Sequence, residues 1–315
     1  MLREFFLSLS RAHWAQDLIT RLPIAWQMAS RFISGTTTAE AIKTIQGLNA
    51  RGLTATLDFL GESVTNPDEA TRAADEYLCI LEQIAASGVR AHISLKLTQF
   101  GLDLDPALCE RNLRRVVEKA QAVGTFVCVD MESSAHTDRT LAAVNAVRRD
   151  FDNLGTVLQA YLYRTEQDLI ALADAGTRIR LCKGAYQEPA DRAFPRKADV
   201  DANFVKLTRL LLDRSANAPA LGDGRTPPLA AIATHDEKMI AAARDYAAEK
   251  RIPRDQFEFQ MLHGVRRDLQ ERLAREGYGM RVYVPYGTHW YPYFMRRLAE
   301  RPANVWFFVS NYFKN

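Results

Sequence analysis

Eight short, β-rich apolar runs, each followed by a stretch with helical signals, predict a (β/α)8 barrel over residues 46–315. Two further observations separate this from an open, doubly wound sheet. No GxGxxG follows any run, and the polar residues of interest are spread over all eight run ends instead of gathering at one switch point. The expectation is an α/β chain: one barrel of the TIM type, with extra N-terminal helices in an arm formed by residues 1–45.

The arm comes first. Residues 1–35 are amphipathic and Arg-bearing, with Glu4 and Asp17 as their only acids and Pro23 as an interruption. Two readings stand open: helices packed on the outside of the barrel, or a segment that lies on a membrane surface or targets the chain. The runs follow as LTATLDFL (53–60), RAHISLKL (90–97), FVCVDM (126–131) and TVLQAYL (156–162), then RIRLCKGA (178–185), LAAIATHD (229–236), FEFQMLHG (257–264) and MRVYVPYG (280–287). Strands covered on both faces read as near-continuous apolar runs, and parallel pairing needs crossovers of this length. Asn66-Pro67-Asp68 and Asp105-Pro106 open two of the crossover helices, with proline just inside the start. Residues 215–228 form the one long loop. In the last helical stretch Tyr293, Arg296, Arg297 and Glu300 fall at i, i+3, i+4 and i+7. A stripe with that spacing is ordinarily apolar, so this one needs something polar to face.

Composition narrows the function classes. A hydrophobic share of 47% with 25% charged residues is enough for a sizeable core. A net charge of +3, with no dense basic run, argues against nucleic acid. Cys79, Cys109, Cys128 and Cys182 sit singly in apolar segments, which predicts reduced, mostly buried thiols and a cytoplasmic setting. No apolar run reaches 18 residues, so no spanning helix is expected.

Barrel chemistry sits at the C-terminal ends of the strands. Read in order, those ends offer Glu62, Lys96, Asp130 with Glu132, Gln159, Arg180 with Lys183, His235 with Asp236, His263, and Tyr283 with Tyr286. Single polar residues at strand ends are more often loop ion pairs than catalysts; it is the full set that points to a site. Arg180 shares a strand face with Cys182 while Lys183 takes the other, so Arg180 is interior or at the rim and needs an acceptor. Asp130 and Glu132 on one face, with His136 following, suggest a divalent site, but Lys96 and Arg180 oppose it and no paired Cys/His spacing supports it. Lys96 and Lys183 on strands keep a Schiff-base aldolase in view.

The strings SLKLTQ (94–99), LGE (60–62), RLCKGAY (180–186), ATHD (233–236), FEFQMLHG and RVYVPYGTHWYPYFMRRLAERPANV (281–305) resemble the flavin-dependent proline dehydrogenases. They match the monofunctional bacterial type, related to the dehydrogenase domain of the bifunctional proline utilisation proteins, in the same order over residues 55–308. The resemblance implies a distorted (β/α)8 barrel, in agreement with the strand count. It implies that Arg296 and Arg297 bind the proline carboxylate with Lys96 assisting. Glu62 would pair with Arg296 as a gate, and Tyr283 and Tyr293 would wall the ring, with Ala185, Tyr186 and Leu262 completing a small apolar pocket. Gln159, Arg180, Lys183, Gly184, Ala185, Tyr186, His235 and Glu300 would contact FAD, which would also supply the partner that Arg180 needs. Asp130 matches a functionally important aspartate and joins Lys96 and Tyr283 as a catalytic candidate. Cys182 departs from the aliphatic residue common in the family, a packing substitution.

The implied reaction is oxidation of L-proline to Δ1-pyrroline-5-carboxylate by hydride transfer from C5 to flavin N5, the first step of proline catabolism. No residue presents itself as a general base. Electrons would pass to a quinone, which gives the arm a peripheral role on the inner face of the membrane. A separate pyrroline-5-carboxylate dehydrogenase would act downstream, because 315 residues leave no room for a fused one. The rivals are the aldolase and a non-catalytic flavin-binding barrel.

Overall fold

The computed structural model describes residues 13–20, 23–61, 64–218 and 223–300. Eight parallel strands close into a barrel in chain order: β1 (Thr54–Phe59), β2 (Ala91–Leu95), β3 (Val127–Val129), β4 (Leu154–Gln159), β5 (Ile179–Cys182), β6 (Ala230–Ala233), β7 (Phe257–Leu262) and β8 (Gly279–Tyr286). Each overlaps an expected apolar run, with β4 starting two residues and β8 one residue ahead of it. The seam is closed by β8 on β1, Thr54 opposite Arg281 and Phe59 opposite Tyr286.

The helices are α1 (His13–Thr20), α2 (Pro23–Ala29), α3 (Thr38–Asn49), α4 (Pro67–Ser87), α5 (Pro106–Ala122), α6 (Thr137–Arg148), α7 (Thr165–Asp174), α8 (Lys197–Ser215), α9 (Glu237–Glu249), α10 (Arg267–Arg275) and α11 (Trp290–Glu300). Their starts follow local chemistry. Asn66 accepts the Glu69 amide and Asp105 the Ala107 amide, each ahead of a proline in the first turn. Such a cap is worth about 1 kcal/mol. Thr37 and Glu40 form a reciprocal capping box on α3. That helix crosses the expected junction at 45/46 without a break and buries Ala41, Ile42, Ile45 and Leu48.

The main apolar core lies between sheet and helices, from Leu53 and Leu57 through Val127, Leu158, Phe204 and Ile232 to Phe259 and Val284. A second apolar cluster joins the ends. Ala15, Ala25, Ala29, Phe32 and Ile33 pack with Trp290, Tyr291, Tyr293, Phe294, Met295 and Leu298, so α1 and α2 support α11 across the barrel. Trp26 meets Trp290 edge to face at 5.5 Å.

Three local expectations change. β3 ends at Val129, so Asp130 and Glu132 do not continue one strand face. Asp130 turns inward, whereas Glu132 accepts the Thr98 hydroxyl at 2.9 Å and the Thr98 amide at 3.3 Å. β2 and β5 end one residue before Lys96 and Lys183, so both lysines stand on the rim. Among the cysteines, Cys109 and Cys128 are buried and Cys182 is half-buried, but Cys79 is exposed.

Candidate active site

Alternation along the strands puts polar residues inside the barrel. Thr56 and Asp58 of β1, His92 and Ser94 of β2, Arg180 of β5, Glu258 and Gln260 of β7, and Arg281 and Tyr283 of β8 share the inner surface with Asp130. All but Asp58 join one hydrogen-bonded network. Arg281 holds Glu258 through two bonds of 2.7 and 3.1 Å, and Gln260 donates to Glu258 at 2.6 Å. The Arg180 Nε donates to Gln260 at 2.6 Å, and its Nη1 to Asp130 Oδ1 at 2.7 Å. Arg180 therefore has its acceptors within the protein, where the resemblance had assigned that part to a flavin.

Asp130 is the hub. Its Oδ1 also accepts from Ser94 at 2.6 Å, and its Oδ2 accepts the Tyr283 hydroxyl at 2.6 Å. The Arg180 guanidinium stacks 5.2 Å from the centre of the Tyr283 ring. Burial first, then the Asp130 and Asp58 charges, push the Tyr283 hydroxyl well above its usual range, so it remains a donor. Lys96 stands between two carboxylates, 3.7 Å from Asp58 and 3.8 Å from Asp130.

Above the network opens a cavity of about 660 Å³. Its floor is Asp58, Lys96, Asp130, Arg180 and Gln260; its sides include Val157, Gln159, Gly184, Ala185, Tyr186, His235 and Leu262; its roof is Tyr293, Arg296 and Arg297 from α11. Three members of the polar stripe of the last helix, Tyr293, Arg296 and Arg297, thus line the cavity. Arg297 lies 5.0 Å from the Tyr293 ring centre.

Of the expected site residues, Lys96, Asp130, Gln159, Arg180, Lys183, Gly184, Ala185, Tyr186, His235, Leu262, Tyr283, Tyr293, Arg296 and Arg297 line this one cavity. Glu62, the expected gate, lies outside the described residues, as does the Glu300 side chain. Several of the expected cofactor contacts are engaged internally. Lys183 pairs with Asp201 at 2.6 Å and Asp236 at 2.8 Å, the Gln159 amide donates to the Glu132 carbonyl, and His235 Nε2 accepts the Leu262 amide at 3.0 Å. Three described strand-end candidates are not part of the cavity wall: the Tyr286 hydroxyl meets Thr38 on α3, Glu132 accepts from Thr98, and His263 lies outside the lining.

Sequence reading missed Asp58 and Gln260, because it looked past the strand ends. The available signal was a polar residue on the inward parity of an otherwise apolar strand. Cys182 lines the cavity as a thiol, its pKa pushed up to about 12 chiefly by burial.

A family model described as proline dehydrogenase matches residues 41–309. Proline dehydrogenase 1 of Bacillus subtilis (strain 168) is 43% identical over 318 residues, covering 100% of both chains. Proline dehydrogenase of Deinococcus radiodurans is 40% identical over 294 residues, 92% of this chain and 91% of its own. Among solved structures, proline utilization A (PutA) from Bdellovibrio bacteriovorus inactivated by N-propargylglycine superposes with a TM-score of 0.77 at 26% identity. That match covers 87% of this chain and 32% of the other, so the chain spans about a third of that protein. A closed eight-stranded barrel, its cationic mouth, and full-length relatives of one kind agree: the chain belongs to the proline dehydrogenase family of oxidoreductases, which act in proline catabolism.

Proposed function

We propose that the chain oxidises L-proline to Δ1-pyrroline-5-carboxylate with FAD held in the 660 Å³ cavity, and that the electrons pass on to a quinone. The observation that carries this reading is the roof: Arg296 and Arg297, adjacent on α11, stand over a small apolar wall with Lys96 below. Such an arrangement suits a small molecule with a carboxylate at one end and an apolar ring at the other.

The cavity fits a flavin. Gly184 has φ +120°, and a Cβ there would come within 2.6 Å of the Tyr161 ring, so glycine lets that ring pack behind the wall, while Gln159, Arg180 and Lys183 bring donors to the cavity for an anionic, hydrogen-bonding group. When bound, FAD supplies a two-electron acceptor for the hydride from C5. Gln159, Lys183, Gly184, Tyr186 and His235 would hold it, and Arg180 brings positive charge to a group that gains electrons. Arg296 and Arg297 clamp the carboxylate, each charge-assisted bond contributing about 1.5–3 kcal/mol. Tyr283, fixed at its hydroxyl by Asp130 and on its face by Arg180, gives the ring a rigid wall. The lysines suit these ion-pair roles better than Schiff-base chemistry, since Lys183 would have to give up two carboxylates.

The acceptor side rests on the arm. Trp14 and Leu18, at i and i+4 of α1, are 68% and 58% exposed, which supports peripheral contact with a quinone-bearing membrane. Among the described residues no helix is long and apolar enough to cross a membrane. The product would then go to a separate pyrroline-5-carboxylate dehydrogenase.

The test is the anaerobic visible spectrum of the purified protein, before and after L-proline. A flavin spectrum that bleaches is the expected result. A colourless protein that cannot be reconstituted with FAD, or a flavin band that proline leaves untouched, overturns the reading.

A further inference from the structure

We propose that Asp58 is the proton acceptor of the reaction, taking the proton that the secondary ammonium of the bound amino acid must lose before hydride leaves C5. This rests on the proline-oxidising reading above. A dialkylammonium has a pKa near that of a lysine side chain, about 10.4, so the substrate arrives protonated at neutral pH. Its nitrogen lone pair must be free to become the C=N bond. The proton therefore needs an acceptor in the cavity.

Asp58 is the carboxylate with capacity to spare. It lies on the inner face of β1, 1% exposed, and lines the cavity floor. Among the described residues no donor is in hydrogen-bond geometry with either of its oxygens, the Tyr283 hydroxyl being held by Asp130. The nearest cation, Lys96 Nζ, is 3.7 Å away, beyond ordinary hydrogen-bond reach. A buried charge left without donors is costly, and protonation relieves the cost. Burial raises the Asp58 pKa, and the Asp130 charge raises it further against the pull of Lys96, Tyr283 and Arg180. Tyr77 of α4 and Tyr286 of β8 complete the titratable surroundings.

The other bases are committed. Asp130 accepts from Ser94, Arg180 and Tyr283, Glu132 accepts from Thr98, and His235 Nε2 accepts from Leu262. In the proposed step the N–H bond of the ammonium breaks and an O–H bond forms on Asp58. The electron pair left on nitrogen becomes the C=N bond of a protonated imine as the C5–H pair departs to the two-electron acceptor that bound FAD would supply, and the remaining N–H proton is lost to water after release. The Asp58 carboxyl returns its proton to water after the product leaves.

The experiment compares wild type with Asp58→Asn and Asp58→Glu in anaerobic flavin bleaching by proline from pH 5 to 10. Binding of cyclopentanecarboxylate, which keeps the ring and carboxylate but has no nitrogen, is measured alongside. Asp58→Asn is expected to lose about 100-fold in bleaching rate at neutral pH and to regain it as the amine deprotonates in solution. It should bind cyclopentanecarboxylate within about three-fold of wild type. Asp58→Glu should restore part of the rate, with a displaced acidic limb. A wild-type pH profile in Asp58→Asn overturns the proposal. So does a loss of cyclopentanecarboxylate affinity as large as the loss of rate, which would make Asp58 a support for Lys96. If Asp58→Asn does not fold, Asp58→Glu decides, and an unmoved acidic limb overturns the proposal. Wild type that proline fails to bleach would instead bring down the proline-oxidising reading itself.

Discussion

Arg297 shows how little a residue's identity says without its place. The sequence repeats Arg-Arg at 114–115, 148–149 and 266–267, and each of those pairs contributes to surface ion pairs or backbone contacts. Only the pair at 296–297 stands over the cavity. Replacing Arg297 with methionine keeps most of its apolar stem and removes the fork, so the proline KM should rise about 100-fold, from ~3 kcal/mol of lost binding. Steady-state kinetics with an artificial electron acceptor check this, and an unchanged KM would remove the carboxylate clamp. Asp130 teaches the complementary lesson. Its importance was legible from a matching motif, but its three hydrogen-bond partners come from β2, β5 and β8, 36, 50 and 153 residues away in sequence. No local pattern encodes such a meeting.

Elements are joined at a few tight places, and the turn after β7 is one. Gly264 has φ +74°, and a Cβ there would sit 1.9 Å from the Arg31 carbonyl oxygen, just beyond α2. Gly264→Ala therefore combines left-handed backbone strain with a backbone clash, a cost of at least about 2 kcal/mol. Scanning calorimetry should show Tm lower by roughly 4 °C or more. Gly47→Ala is the matched contrast. Gly47 lies exposed inside α3 with nothing within 4 Å of a new Cβ, so the same substitution should stabilise by about 0.5–1 kcal/mol. Opposite signs for two Gly→Ala changes would locate the strain in the contact with Arg31. Equal signs would contradict it.

Across the whole molecule, the barrel axis holds charges in compensating pairs: Arg281 with Glu258, Arg180 with Asp130, and Lys96 near Asp58. Acid should disturb it in part through histidine. Burial, helped by Arg267 and Arg51, lowers the His263 pKa from 6.5 to about 4. The unfolded chain thus binds a proton that the folded chain refuses in that window. Stability from His263 is complete above pH 6.5 and falls as pH drops toward 4, with a slope of at most about 1.4 kcal/mol per pH unit. Asp58 and Glu132, whose pKa values are raised mainly by burial, act in the opposite direction. Denaturant unfolding of wild type and His263→Gln across pH 4–7 isolates the imidazole, because the carboxylates are common to both. A difference that does not change with pH would contradict this.

The sequence by itself determined the architecture. Eight apolar runs at crossover spacing admit few folds, since parallel strands must be buried on both faces and joined by helices; the caps at Asn66 and Asp105 were equally local. It also marked most of the cavity wall, because strand ends and the stripe on α11 are periodic features of short segments. Which side chains meet was not legible locally. Arg180 found Asp130 and Gln260, Tyr286 turned to Thr38 while Tyr283 faced inward, and Asp58 was left buried without a hydrogen-bond donor among the described residues. Those outcomes depend on register around the closed barrel and on the residue at which each strand stops. Both are set by packing between segments far apart in the chain, whereas periodicity acts only within one segment.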